Sequence, residues 1–153
     1  MSQAPQATVR IAAALILDDE GRLLLVRKRG TERFMQAGGK LEPGEPAAAA
    51  LRRELHEELG HPPTALQPLG EYTAPAANEP GCQVHAWLFL ATMPPRVAPA
   101  AEIAELRWVT PREAQQLPLA ALTRDHVLPL AVRLLQHDET GRCHGSSTLL
   151  PSG

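Results

Sequence analysis

The sequence predicts an α/β fold, an α/β/α sandwich around a mixed sheet, and three observations predict it. Two runs rich in Val, Ile and Leu, residues 8–17 and 23–29, are separated by one short turn. An amphipathic helix over residues 46–59 follows a Pro-Gly turn. A third apolar run, residues 82–93, alternates with period two and precedes two further helical segments. Strands and helices interleaved in this way pack as layers around one core. The chain has 153 residues, which suits a single domain. Residues 1–7 and 138–153 read as flexible tails, leaving 8–137 as the domain.

Residues 8–17 form a central strand, and Asp18-Asp19-Glu20-Gly21 a hairpin turn. Residues 23–29 return as the partner strand and end in the basic cluster Arg27-Lys28-Arg29. Either Arg27 or Arg29 can touch phosphate there, or the cluster is a solvated strand end. Phe34 is core or pocket wall. Gln36 and Lys40 flank the glycine pair Gly38-Gly39, and either can contact a leaving group. Pro43-Gly44 suits a sharp turn and Pro46 the first helical position. Gly60 and Pro62 stop the helix. Residues 66–73 read as a strand and 74–81 as a loop. In 82–93, Cys82, Val84, Ala86, Leu88 and Leu90 share one face. Gln83, His85, Trp87 and Phe89 share the other, a face suited to a helix above it or to a cavity wall. Residues 106–109 form a short strand. Thr110-Pro111-Arg112-Glu113 is a capping box with proline at the first helical position. Thr123 caps a last helix to about residue 136, which Pro129 kinks or delays.

Composition excludes several function classes. The formal charge is −2, so no broad basic field draws the chain to nucleic acid or an anionic membrane. Aromatic residues are 3%, too few for a base-stacking platform along a single strand. Cys82 and Cys143 form no metal-binding spacing. The first residues lack the pattern of a secretory signal, and no apolar run reaches a membrane-spanning length. A reduced, cytoplasmic protein is the expectation.

The chemistry concentrates in residues 38–61. At about 100° per residue, Ala48, Leu51, Leu55 and Leu59 form one apolar stripe. Glu54, Glu57 and Glu58 fall in an adjoining arc of roughly 100°. Three carboxylates at i, i+3 and i+4 repel, and the more so where water screens them less. Arg53 reaches Glu57 at i+4, yet one cation does not balance three anions. A hard cation with oxygen ligands does, and Mg²⁺ is commonly held by one or two carboxylates plus substrate phosphates. Gly38-Gly39 lets backbone approach such a site, and Glu45 can swing back toward it.

In order, the stretch reads Gly39, five residues, Glu45, seven residues, then Arg53-Glu54-Leu55-x-Glu57-Glu58-x-Gly60. It resembles the Nudix box of the Nudix hydrolases, Gly-x5-Glu-x7-Arg-Glu-U-x-Glu-Glu-x-Gly-U, with U a bulky aliphatic. His61 departs from the final U, and Ala37 stands where proline is frequent. The resemblance implies the same sandwich fold and the hydrolysis of a nucleoside diphosphate linked to another group. It implies Glu57 and Glu58 as main Mg²⁺ ligands, with Mn²⁺ as a substitute ion. Glu54 is a further ligand or the base, Glu45 a weaker or outer-shell ligand, and the Gly39 carbonyl an addition to the set. Arg53 orients the glutamates by a bidentate contact. Glu102 fits the family's glutamate on the loop before the 106–109 strand, with Glu105 next. Arg27, Phe34, Gln36 and Lys40 are the substrate-binding candidates.

The segments that mark the NADH and dinucleoside polyphosphate enzymes of the family are missing from this sequence. Pro75 lies near the spacing of a proline in the ADP-ribose enzymes. The short single domain favours a pyrophosphatase acting on an ordinary or oxidised nucleoside triphosphate. Cleavage of ADP-ribose or a sugar nucleotide is the alternative reading, and a non-catalytic Nudix-fold binding module the alternative of another class. An isomerase acting on isopentenyl diphosphate lacks its cysteine and histidine set here. The expected partner is a small nucleotide, with a homodimer compatible with the family.

Overall fold

The structure is a computed structural model that describes residues 7–145, with side chains in the last helix described as far as Gln136. The elements are β1 (Ala7–Ile16), β2 (Leu23–Lys28), β3 (Gly38–Lys40), α1 (Ala47–Leu59), β4 (Ala65–Pro75) and β5 (Cys82–Thr92). They continue with β6 (Ile103–Val109), α2 (Pro111–Ala114), a π-helical turn (Thr123–Val127) and α3 (Leu128–Gly145). A four-stranded mixed sheet runs β3-β1-β5-β4, with β1 parallel to β5 and the other pairs antiparallel. β2 pairs with β6 in a separate antiparallel ribbon.

Alternation along β1 splits the core in two. Ala12, Ala14 and Ile16 pack with Ala50, Leu51, Leu55 and Leu59 of α1. Ala13 and Leu15 face the opposite way and pack with Val127, Leu128 and Ala131 beside the last helix. β2 feeds both layers, Leu24 and Val26 into the first and Leu23 and Leu25 into the second. Helices therefore cover both faces of the sheet, as the sequence pattern predicts.

The differences in detail have physical reasons. The Asp18 carboxylate accepts from the N–H groups of Glu20 and Arg22, and Gly21 takes φ 79°, so the turn forms. The hairpin does not continue. Beyond a bridge at Leu17–Leu23, β2 leaves β1, because its Leu and Val side chains are buried on both faces. Pro46 is the N-cap of α1 rather than its first helical residue, with its carbonyl accepting from Ala50 N–H. Gly60 ends α1 at φ 85° as expected. β6 begins at Ile103, earlier than the expected 106, where the cross-strand ion pair Arg27–Glu105 supports its polar half. The capping box at Thr110 and Glu113 forms in both directions.

β3 has no strand signal in its glycines and exists by pairing Gly38, Gly39 and Lys40 with Ala13, Ala12 and Ile11. Thr123 caps nothing. It lies fully buried in the π-helical turn, and Pro129 delays the regular helix to Leu128. That helix continues past the expected end near residue 136 to Gly145, which includes part of the predicted tail. The rest of that tail, and residues 1–6, lie outside the described residues. Among the described residues no helix is long and apolar enough to cross a membrane.

Candidate active site

The turn that precedes α1 brings Glu45 onto the helix that follows it. Arg53 clamps it there. Its Nε donates to one Glu45 oxygen at 3.1 Å and its Nη2 to the other at 2.8 Å. Nη1 donates to Glu54 at 2.9 Å, and Nη2 also reaches the Lys40 carbonyl at 3.3 Å. The expected Arg53 contact with Glu57 is replaced by these, because the fork geometry favours a bidentate carboxylate over a helical neighbour. Arg53 holds the Glu45 carboxyl below its usual range, and Glu45 in turn raises the proton affinity of Arg53.

The three helix glutamates differ in burial. Glu58 lies in the buried stripe and is 5% exposed. Burial pushes its carboxyl up to about 7, against the Gly38 N–H it accepts at 3.0 Å and the nearby Lys28 charge. The charges of Glu54 and Glu102 push it further up. Glu54 is also raised by burial, offset in part by Arg53. Glu57 is exposed and acts on Glu54 through its charge.

The glycine pair is the seam of the site. A side chain on residue 39 would stand 2.6 Å from both Glu54 carboxylate oxygens, so only glycine leaves Glu54 its place. On its other side the same pair lines a cavity of about 130 Å³. That volume is well below the 300–1,000 Å³ of drug-sized pockets and suits a single flat ring. Val9, Ile11 and Ala13 of β1 and Val84 of β5 form an apolar floor. The cavity thus opens on the Val84 face of β5. Its other face, considered above as a cavity wall, instead sends Trp87 and Phe89 toward the α1 layer.

Gln36 and Lys40 line this cavity. Lys40 is mostly exposed, with its Nζ 3.6 Å from Glu79. Arg27 and Phe34 do not line the cavity. Arg27 is spent on the β2–β6 ribbon, bonded to Glu105 at 3.1 Å and to the Thr31 carbonyl at 2.8 Å. Phe34 is core, 4% exposed among Leu23, Leu25 and Leu119, with Arg107 above its ring at 5.2 Å. Glu105 is tied to Arg27 and Arg107, whose bonds lower its carboxyl. Glu102 is exposed and close enough for its charge to act on Glu58.

Two residues escape the sequence reading. Lys28 lines the cavity, and its charge acts on both Glu54 and Glu58. The period-two set Leu24, Val26, Lys28 was the available signal, since its apolar members face α1. Thr123 lines the cavity and donates to Gln36 at 2.6 Å, and 87 residues separate the two.

The residues suit a hard dication shared with phosphate rather than a closed metal cage. Among the described residues no three Asp, Glu, His or Cys side chains stand close enough to enclose an ion by themselves. The donor set is all oxygen, and two adjacent carboxylates are raised by burial without a cation bonded to Glu58. A divalent ion completed by phosphate oxygens fits that arrangement.

The family model described as NUDIX domain matches residues 7–131. The CTP pyrophosphohydrolase of Escherichia coli strain K12 is 38% identical over 119 residues, 70% of this chain and 80% of that protein. An 8-oxo-dGTP diphosphatase of Haemophilus influenzae is 36% identical over 56 residues, 34% of this chain and 41% of its own. The crystal structure of a MutT protein from Methanosarcina mazei shares the fold, with TM-score 0.70 at 23% identity over 87% of this chain and 97% of its own.

Proposed function

Because the chain belongs to the Nudix family and is a Nudix hydrolase, we propose that it cleaves nucleoside triphosphates, ordinary or oxidised, to the monophosphate and pyrophosphate with Mg²⁺. One observation carries this reading. The glycine pair has a ring-sized cavity on one side and the carboxylates of buried Glu58 and half-buried Glu54 on the other. A base in the cavity has its phosphates led past Gly38-Gly39 toward α1.

Glu54 and Glu58 would hold the ion, with Glu57 and the Gly39 carbonyl beside them. When bound, the ion neutralises the pyrophosphate and polarises its oxygens. Glu45 is kept by Arg53 in a supporting position, and Arg53 fixes the Glu54 carboxylate. Lys28 and Lys40, both on the cavity wall, meet the phosphates as cations. Glu54 and Glu102 are the carboxylates that can take the proton of the attacking water. The CTP and 8-oxo-dGTP activities named for two relatives support a triphosphate substrate. Pro75 on the cavity wall favours the second reading, an ADP-ribose pyrophosphatase.

The test is a chromatographic assay with Mg²⁺ on CTP, UTP, GTP, 8-oxo-dGTP, ATP and ADP-ribose. Monophosphate and pyrophosphate from at least one triphosphate is the expected result. Cleavage of ADP-ribose with every triphosphate intact moves the assignment to the second reading. No cleavage of any compound supports a binding module.

A further inference from the structure

The Gln36 amide is an unusual wall for an otherwise apolar floor. The residue is 5% exposed, and its Oε1 accepts the Thr123 hydroxyl at 2.6 Å. Its Nε2 has no hydrogen-bond partner among the described residues. Buried side-chain donors are nearly always paired, so an orphan on a cavity wall calls for an explanation. Thr123 itself is fully buried in the π-helical turn, a distortion frequent at functional sites. Val9, Ile11, Ala13, Val84 and Leu122 line the cavity with apolar side chains, and Asn78 is the other neutral amide on its wall.

We propose that Gln36, held by Thr123, determines base specificity, its Nε2–H donating to an exocyclic carbonyl of the nucleobase. This rests on the triphosphate reading and names the base class within it. Cytosine, uracil, guanine and 8-oxoguanine present such a carbonyl, and adenine does not. With the Thr123 hydroxyl donating to Oε1, Nε2–H is the end of the amide left for the ring. A site built around a directed donor discriminates strongly against a base that leaves the donor unpaired.

The experiment measures kcat/KM for CTP, UTP, GTP and ATP in wild type, Gln36→Leu, Gln36→Glu and Thr123→Val. Wild type is expected to favour a carbonyl base over ATP. Gln36→Leu should cut that preference by about tenfold or more, the loss falling on KM. Gln36→Glu replaces the donor by an acceptor at constant shape and should move the preference toward ATP. Thr123→Val, which frees the amide to turn, should blur the preference with a smaller effect. An equal loss for all four nucleotides in Gln36→Leu and Gln36→Glu assigns the amide a packing role and overturns the proposal. A preference unchanged in Gln36→Glu, or a wild type that favours ATP, overturns it as well. A wild type that releases pyrophosphate from no nucleotide instead overturns the triphosphate reading beneath it.

Discussion

Glu58→Gln should lower turnover by about 10²-fold or more and at the same time stabilise the metal-free protein at neutral pH. The two effects have one cause. Glu58 is 5% exposed, and burial lifts its carboxyl from 4.5 to about 7. Below about pH 4.5 the group is protonated whether the chain is folded or not. As pH rises from 4.5 to 7, the unfolded chain gives up this proton while the native protein keeps it. Stability therefore falls across that window, by on the order of 3 kcal/mol, and stays low above it. Glutamine keeps an oxygen for the Gly38 N–H and carries no charge, so the variant should lose most of this pH dependence. Melting curves in a chelator from pH 4.5 to 8.5 measure the difference between the two proteins. Parallel curves would mean that Glu58 is not the buried acid it is taken for. Turnover falls because the proposed ion loses a charged ligand.

The glycine pair should separate folding from chemistry in two adjacent positions. Gly38 has φ 148°, and a Cβ there would stand 2.8 Å from Ala13 Cα and closer still to the Ala12 carbonyl oxygen. Both obstacles are backbone of the central strand, and neither can turn aside. Gly38→Ala is expected to cost roughly 3 kcal/mol or more, a drop of about 10 °C in melting temperature, or to give insoluble protein. At Gly39 the obstacle is the tip of the Glu54 side chain, which can move. Gly39→Ala should thus melt within a few degrees of wild type. It should lose about 10²-fold in turnover, because Glu54 is pushed from its place. Thermal melts and steady-state kinetics on the two variants check both halves. A stable Gly38→Ala, or a fully active Gly39→Ala, would mean that the seam is looser than drawn.

Much of this was legible in the chain because it is local. The glycine stop of α1 and the Thr110 capping box are short-range patterns, and each forms as read. The acidic residues were found for the same reason, since one helix carries most of them. What failed to show was set by distant partners. Arg27 looked free beside its cationic neighbours, but its bond is to Glu105, 78 residues away. β3 is a strand only because β1 lies beside it. Glu58 turned out buried because the buried arc is wider than the stripe read from sequence, with Ala50 at its far edge and Glu58 between Ala50 and Leu51. The Gln36–Thr123 pair carries no local signal at all.

The most direct measurement is a titration of the metal-free protein at pH 6.5 with Mg²⁺ and a non-hydrolysable nucleoside triphosphate, following protons in weak buffer. Binding that ionises Glu58 should release a substantial fraction of a proton per protein and raise the melting temperature, and Glu58→Gln should do neither to the same degree. No proton release and a flat melting temperature up to tens of millimolar Mg²⁺ would contradict the carboxylate–dication site.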